Sequence, residues 1–445
     1  MQIRFHAHAC IGVEGDHGHL LIDPWFQGDV FNDAWSLMVP PDLSRIDFDR
    51  LRFIWISHEH PDHLHFESLR LIRERTTGPV TVYYRRQRNA NVREAVAKLG
   101  FEVVELVPHA ETRISPDLAI TLFPTRQDNA LVIRAGDRVI LDQNDCRLLP
   151  AEVDAIRRMV PRIDAWFFQF SLAGYYANAD DHAGLARARA WHLDLIREYH
   201  EAFRPGIFVP FASFVRFSKA GNAHMNRYAV SLDDVIEALP GAAVQILWGG
   251  DPLLWEGWEA RNVRNLALWR ERFAAGEMVK PHRPVSEAEI LRAAESLLRE
   301  GLERELPPFR PPETHLQVEE TGRALSLDFR RGRVAMRERP HPDRLAGIVP
   351  AEELLFFLKF PWGADTLNVS ACFHVVDEGR WRRLLRFRHS LYVGTEKDEY
   401  RVRGMPWLVG RLARGLWNRA RSVLVPSSSR RILSGPPDLP RGSRT

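Results

Sequence analysis

The stretch WISHEHPDHLHF, residues 55–66, most constrains what this chain can fold into, because it follows an apolar run and contains four histidines and two carboxylates. Its centre has the pattern H-x-H-x-D-H, formed by His58, His60, Asp62 and His63. Side chains alternate at the end of a strand, so the two first histidines face the same way, and the turn that follows brings the other two residues around a second point nearby. One loop can therefore serve two metal ions.

The chemistry of this pattern favours metal binding over a solvated loop. Neutral imidazoles suit zinc or iron, and a carboxylate lowers the cost of holding two divalent cations close together. The spacing, the preceding strand and the helix directly after the motif coincide, which is not expected of a loop that is merely rich in histidine. The remaining polar residues of the stretch, Glu59 and His65, are expected at the helix entry and on the surface.

The wider sequence indicates an α/β fold. Strands alternate with helices over the first 250 residues, beginning with QIRFHAH, HLLIDPW and the buried run LRFIWIS that precedes the histidines. A chain of 445 residues is long enough for two or three domains. The three cysteines are widely separated and form no CxxC pair, so core packing is expected of Cys10, Cys146 and Cys372.

The histidine motif resembles that of the metallo-β-lactamase fold superfamily, whose αββα sandwich holds one or two metals at the sheet edge. Four segments, HAHACIGVEGDHGHLLIDPWFQG, WISHEHPDHL, VILDQNDC and PGIFVPFASF, are similar to the metallo-β-lactamase half of the CMP-N-acetylneuraminate hydroxylase family. The similarity covers roughly residues 4–235. It implies an α/β fold class, with a metallo-β-lactamase αββα sandwich followed by a smaller α+β domain and a basic tail.

The resemblance also implies ligands beyond the motif. It matches the aspartate that bridges the metals to Asp145 in QNDC, for which the cap of an Asx-type turn is the alternative. A final histidine normally completes the second metal, and His224 and His182 are both candidates. A further histidine usually precedes the bridging aspartate, but the matching segment FPTRQDNALVI has none. Either Asp128 or Gln127 takes that place, or the position is empty and the site keeps one metal; a surface turn is the alternative for Asp128.

This departure from the superfamily pattern carries chemical information. A carboxylate in place of the third imidazole would give the first metal two histidines and one carboxylate, which favours iron or manganese over a closed zinc tetrahedron. We therefore expect two divalent metal ions as cofactors, with iron favoured and zinc or manganese as alternatives. Asp62 and Asp145 are expected to be the catalytic carboxylates.

Other polar residues near the motif are expected to support the site. His6 and His8 alternate on the first strand and should face the same side, in packing or in contact with metal ligands. Asp23 follows a strand next to the motif and is a better candidate than these histidines for a residue that contacts and positions a metal ligand. Three arginines in YYRRQRN could meet an anionic substrate, with a solvated turn as the alternative: Arg85, Arg86 and Arg88.

Changes in composition divide the chain into four predicted parts. A metallo-β-lactamase-like catalytic domain spans residues 1–256, and a charged helical connector spans 257–305. Residues 306–400 form a small α+β domain, in which a strand is expected near DTLNVSACFHV. The domain faintly resembles a sterol-carrier-like module, with dimer contact or lid formation as alternatives. Residues 401–445 form a basic amphipathic helix and a disordered tail.

The basic character of the chain lies in its last part. Residues 401–445 contain ten arginines and one aspartate, although the whole chain has a formal net charge of only +3. Such a tail could contact an anionic membrane, whereas no specific nucleic-acid motif is present. No run reaches the roughly 18 apolar residues that cross a bilayer, and the N-terminus lacks a signal-peptide pattern. We expect a cytoplasmic protein that could lie at the membrane periphery.

Three functions remain open at this point. The first is a non-haem iron oxygenase that hydroxylates a polar or anionic small molecule. The chain has no C-x-H paired with a C-x-x-H, the ligands of a Rieske cluster, so electrons would come from a separate donor protein or from the substrate. The second is a dinuclear hydrolase of an ester, amide, lactone or phosphodiester. The third is a non-catalytic metal protein that associates with a membrane or nucleic acid.

Overall fold

Two β-sheets form the centre of the N-terminal part of the chain, in a computed structural model that describes residues 1–85, 91–125, 128–276, 279–305 and 307–397. The strands of the first sheet are, in spatial order, β1 (Gln2–Ala7), β2 (Cys10–Gly15), β3 (Gly18–Ile22), β6 (Leu51–Trp55), β7 (Thr81–Arg85) and β8 (Glu102–Leu106). Those of the second are β14 (Ile207–Phe211), β13 (Ala165–Gln169), β12 (Arg138–Asn144), β11 (Asn129–Ala135), β10 (Leu118–Pro124) and β9 (Glu111–Arg113). A short third sheet contains β15 (Val215–Phe217), β5 (Trp35–Leu37) and β4 (Asp29–Val30).

Both large sheets combine antiparallel and parallel pairing. In the first, β1, β2 and β3 pair antiparallel, and β3, β6, β7 and β8 pair parallel. Successive side chains of a strand face opposite sides of its sheet. In β6, Trp55 therefore packs in the central core, whereas Ile54 packs in an outer cluster. The central core joins buried side chains of both sheets, including Phe5, Ile11, Leu122, Ile133 and Phe167.

Helices cover the outer faces of these sheets. On the first sheet, α1 (Phe66–Arg75) and α2 (Asn91–Ala97) contribute Leu69, Ile72 and Val96 to the outer cluster. On the second, α3 (Pro150–Met159) and α4 (His182–Phe203) pack through Ile156 and Tyr199, and α5 (Leu232–Ala238) packs on α4. The layers are αββα, so the predicted α/β fold class is confirmed.

The C-terminal part has a separate apolar core. Its sheet contains β18 (Arg333–Arg337), β17 (Ala324–Asp328), β16 (Thr314–Val318), β19 (Leu345–Val349) and β20 (His374–Val375). The helices of this part are α7 (Glu287–Arg304), α8 (Ala351–Lys359), α9 (Gly363–Ser370) and α10 (Glu378–Lys397). By contrast, α6 (Glu259–Ala274) places Trp269 in the central core of the sandwich. The domain boundaries at residues 256, 305 and 400 stay predictions.

One predicted element of the C-terminal part was wrong. The segment DTLNVSACFHV was expected to be a strand, but α9 occupies its first half and only His374–Val375 forms β20. Most of α9 is buried, so packing around the helix outweighs the local strand preference; the buried residues are Gly363, Ala364, Thr366, Leu367, Val369 and Ser370.

Some predictions concern residues outside those that the structure describes. They are the basic tail at residues 401–445, Arg86, Arg88 and Gln127. Among the described residues, no helix is both long enough and apolar enough to cross a membrane.

Candidate metal centre

Loops at one edge of the sandwich bring the predicted ligands together. The H-x-H-x-D-H motif lies between β6 and α1, and Asp145 directly follows β12. Asp128 directly precedes β11, and His8 lies in the turn between β1 and β2. The motif closes on itself because the backbone amides of His63 and Leu64 both donate to the carbonyl of His60, at 2.9 and 2.7 Å. Because of this turn, His58 and His60 face one point, and Asp62 and His63 face a second point nearby.

The first group of ligand atoms belongs to His58, His60 and Asp145, which lie within 4.8 Å of one another. Nε2 of His58 is 2.8 Å from Nδ1 of His60 and 3.6 Å from Oδ2 of Asp145. Oδ1 of Asp128 lies 3.9 Å from the same Nε2. Two imidazoles and the carboxylate of Asp145 therefore converge on one point, with the carboxylate of Asp128 beside His58.

The second group consists of His8, Asp62 and His63, again within 4.8 Å of one another. Oδ2 of Asp62 is 3.1 Å from Nε2 of His8 and 3.4 Å from Nε2 of His63. Oδ2 of Asp145 is 3.6 Å from Nε2 of His63 in this group and also 3.6 Å from Nε2 of His58 in the first group. Asp145 thus lies between the two groups, where a carboxylate can bridge two ions.

The side chains present fit two divalent cations. Buried polar atoms almost always have a hydrogen-bond partner, yet Nε2 of His63 and one carboxylate oxygen each of Asp62 and Asp145 have none in the described residues. Burial raises the pKa of Asp128 and Asp145, so nearby cations would offset the cost of two buried negative charges. Burial, and then the positive charge of His63, lowers the pKa of His58 to about 3, which leaves the neutral ring that a metal requires.

Asp23 lies on the outer side of this centre and hydrogen-bonds to the candidate ligand His63, the kind of contact that was predicted for it. Its carboxylate accepts from the amide and hydroxyl of Ser57, at 2.8 and 2.6 Å, and from Nδ1 of His63 at 2.7 Å. The serine hydroxyl in turn lies 3.0 Å from Nδ1 of His58. Because a carboxylate only accepts, the proton of His63 is on Nδ1, and its Nε2 is free to bind a metal.

Asp365 is a part of the site that sequence reasoning missed. This residue lies in the first turn of α9, and its Oδ2 is 2.8 Å from Nε2 of His60, a partner 305 positions earlier in the chain. Burial opposes protonation of His60, but the carboxylate of Asp365 raises the pKa of this histidine to about 10. Asp365 carries no local motif, so its contact with His60 became visible only in the folded chain.

The two candidates for the final histidine are not brought into these groups. Neither His224 nor His182 belongs to any trio of ligand side chains with atoms within 4.8 Å in the described part of the chain. His224 instead lies in the 3-10 helix Ala223–Tyr228, and its ring donates to the carbonyl of Gly221, which precedes that helix. Nδ1 of His182 is 2.6 Å from the hydroxyl of Tyr228. The third side chain of the second group is His8.

The remaining predicted residues have local partners. His65 caps the N-terminus of α1, where its side chain accepts from the amide of Ser68, and the hydroxyl of Tyr84 donates to Glu59 at 2.7 Å. His6 is buried against Gly12, at which even a methyl group would meet its ring. Arg85 is half-buried and donates to the carbonyl of Thr125 at 3.1 Å.

Comparisons with known proteins agree with this architecture. Residues 19–203 match the model of the beta-lactamase superfamily domain. A protein of Mycobacterium tuberculosis, provisionally named as a Rieske 2Fe-2S iron-sulfur protein, is 27% identical over 220 residues, which are 45% of this chain and 41% of that protein. The cytidine monophosphate-N-acetylneuraminic acid hydroxylase of Asterias rubens is 36% identical over 76 residues, 17% of this chain and 12% of the hydroxylase.

Among solved structures, the diiron beta-hydroxylase CmlA from Streptomyces venezuelae aligns with a TM-score of 0.38 and 17% identity, over 57% of this chain and 53% of that chain. The chain spans about two fifths of the length of the mycobacterial relative and a smaller share of the hydroxylase. The family match covers the strands from β6 to β13, the histidine motif and Asp145, whereas β1, β2 and β14 lie outside it. Over residues 19–203, the chain is therefore similar to the beta-lactamase superfamily domain, and its sandwich carries groups of side chains that could hold the ions of a metalloenzyme.

Proposed function

We propose that this chain is a dinuclear non-haem iron oxygenase that hydroxylates a polar or anionic small molecule. The observation that carries the proposal is the set of donors around His58. In this proposal Asp128, whose Oδ1 is 3.9 Å from Nε2 of His58, takes the place where the superfamily usually supplies a third imidazole, and Asp145 adds a second carboxylate beside the same nitrogen. A site with two histidines and carboxylates favours iron or manganese and leaves positions open for other ligands.

The residues of the chain have distinct roles in this proposal. His58, His60 and Asp128 would hold the first ion, and His8, Asp62 and His63 would hold the second. Asp145, which lies between the groups, would be shared by the two ions. Iron bound here would supply the activation of dioxygen. Asp23 and Ser57 keep the histidine rings in the orientation that binds metal.

Two features support a polar or anionic substrate. The side chains around the first metal position are not sealed from solvent, since those of Asp128 and His60 are 22% and 29% exposed. Arg85 lies at the end of β7, close enough to Asp128 for a charge interaction, and its side chain is only half-buried. An anionic group that approached the open side would meet this guanidinium.

The electron supply is a second component of the proposal. The relative from Mycobacterium tuberculosis is named for a Rieske cluster, and this chain has no C-x-H paired with a C-x-x-H that could hold one. We infer that a separate electron-donor protein, or the substrate itself, reduces the iron ions.

A dinuclear hydrolase is the second candidate function. It is favoured by the buried Oδ1 of Asp62, which has no hydrogen-bond partner in the described residues and could orient a water molecule for attack. Metal ions lower the pKa of a bound water to near neutrality, which would supply the nucleophile for an ester, amide, lactone or phosphodiester.

Metal analysis combined with oxygen uptake separates the two functions. The full chain is purified without chelators, its iron, zinc and manganese are quantified, and oxygen consumption is followed under reducing conditions. The oxygenase proposal predicts about two iron ions per chain and an oxygen uptake that Asp145→Asn abolishes. Tightly bound zinc with no oxygen uptake would overturn the proposal and favour the hydrolase.

A further inference from the structure

We propose that the C-terminal part of the chain is a component of the metal centre, and that Asp365 is a positioning residue for the ligand His60. This inference deepens the proposed function and rests on the metal centre that it assumes. Asp365 lies well outside residues 19–203, the region that matches the superfamily domain. A residue beyond that region would therefore control a ligand within it.

The geometry of His60 assigns different tasks to its two ring nitrogens. Nδ1 lies 2.8 Å from Nε2 of His58 and faces the first metal position, whereas Nε2 points away and lies 2.8 Å from Oδ2 of Asp365. A carboxylate that accepts a proton from the outer nitrogen fixes the tautomer and the ring orientation, and it makes the inner nitrogen a stronger donor. The ring of Phe31 packs edge-on against His60, with centroids 5.7 Å apart, and restricts its rotation.

The helix that carries Asp365 is anchored to the sandwich by hydrogen bonds at its other end. The side-chain amide of Asn222 donates to the carbonyl of Ser370 at 2.7 Å, and the backbone amide of Tyr175 donates to the carbonyl of Asn368 at 2.9 Å. These partners lie in the N-terminal part of the chain. These hydrogen bonds hold α9 against the sandwich, and so they keep Asp365 within hydrogen-bond distance of His60.

The neighbouring helix α8 strengthens this attachment. The buried ammonium of Lys219 donates to the carboxylates of Glu352 and Glu353, both at 2.7 Å. The side-chain amide of Asn32 donates to Glu353 at 3.0 Å, next to Phe31 in the chain. Residues 31–33 all adopt positive φ angles, of 54°, 59° and 61°, so this loop has an uncommon conformation where it contacts both His60 and the C-terminal part.

The experiment compares metal binding by Asp365→Asn, Asp365→Glu and a matched control. Asparagine keeps the size of the side chain but removes its charge, whereas glutamate keeps the charge. Asp343→Asn is the control, because this aspartate is in the same part of the chain, is 89% exposed and lies 4.0 Å from its partner His341. Each full-length variant is titrated with Co²⁺ against a competing chelator, and the visible absorption spectrum and the thermal unfolding midpoint are recorded.

The proposal predicts that Asp365→Asn weakens one of two binding steps by about 10- to 100-fold and changes the Co²⁺ spectrum of that step. Asp365→Glu should recover part of this loss, and Asp343→Asn should match the unsubstituted chain. Unchanged affinity and spectrum in Asp365→Asn would overturn the proposal, as would equal weakening of both steps together with a lower unfolding midpoint. A failure of the unsubstituted chain to bind Co²⁺, Fe²⁺ or Zn²⁺ would instead refute the proposed function on which this inference rests.

Discussion

His63 donates its Nδ1 proton to Oδ2 of Asp23 at 2.7 Å, and both side chains are completely buried. A buried pair of this kind leaves no freedom in the ring, since the same carboxylate also accepts two hydrogen bonds from Ser57. Nε2 of His63, which has no hydrogen-bond partner among the residues that the structure describes, is thereby directed toward Asp62 and Asp145. The orientation of His63 at the second metal position therefore depends on Asp23, which contacts the opposite side of the imidazole ring.

Replacing Asp23 by asparagine should weaken metal binding without changing the metal ligands. An amide can present an N–H group to Nδ1 of His63 and so favour the tautomer with a proton on Nε2, which cannot bind a metal. We expect a loss of about 10- to 100-fold in affinity for one ion, measured by chelator competition. Asp117→Asn is the control, because Asp117 also contacts a histidine, the exposed His17 at 3.3 Å, and lies outside the two ligand groups. Equal affinities of the Asp23 variant and the unsubstituted chain would refute this role.

Removing a ligand from either group should abolish metal binding and leave a folded protein. His60→Ala acts on the first group and Asp62→Ala on the second. The apolar core between the sheets does not include these side chains, so the far-UV circular dichroism spectrum should be preserved. The measurement is metal content after gel filtration of the purified variants. Full occupancy in both variants would contradict the ligand assignment.

Restoring an imidazole at the position of Asp128 should change the preferred metal. Asp128→His would give the first group three histidines and fewer oxygen donors, a set that suits tetrahedral zinc. We expect the ratio of zinc affinity to iron affinity to rise by about tenfold or more, equivalent to about 1.4 kcal/mol. Competition between the two ions, with metal content read by mass spectrometry, measures the ratio. An unchanged preference would show that Asp128 does not contact the first ion.

Substituting Lys219 should test the attachment of the C-terminal part. Lys219 is 2% exposed, and Lys219→Met would leave the buried carboxylates of Glu352 and Glu353 without their shared cation. Breaking a buried ion pair from one side costs about 3–5 kcal/mol, so the free energy of unfolding should fall by that amount in urea titrations. Arg270→Gln, which removes an exposed pair with Asp233, should leave the unfolding midpoint near that of the unsubstituted chain. A similar small effect of both substitutions would contradict the role of Lys219.

The part of the site that could be predicted from the sequence is the part encoded locally. The H-x-H-x-D-H spacing follows from one strand end and one turn, and the αββα layers follow from apolar periodicity and the resemblance of a few segments. His8 was expected to share a face with His6, as alternation on a strand requires. Instead, β1 ends at Ala7 and its register shifts before that point, so His8 lies in a turn with φ of 44° and contacts Asp62.

Asp365 could not be predicted for a different reason. Its neighbours in the sequence were expected to form a strand, and nothing in a single segment indicates that a helix of the C-terminal part docks beside His60. Contacts between residues 305 positions apart depend on the packing of whole domains. Similarly, His224 matched the residue type expected of a final ligand, but its backbone lies in the 3-10 helix Ala223–Tyr228, where a local carbonyl is its partner.

Anomalous X-ray diffraction from crystals of the metal-loaded chain tests the central claim most directly. Data collected on both sides of the iron and zinc absorption edges locate each ion and identify its element. The account predicts two iron peaks about 4 Å apart, one beside His58, His60 and Asp128 and one beside Asp62 and His63, with Asp145 between them. A single peak, or peaks that appear only at the zinc edge, would contradict a dinuclear iron centre.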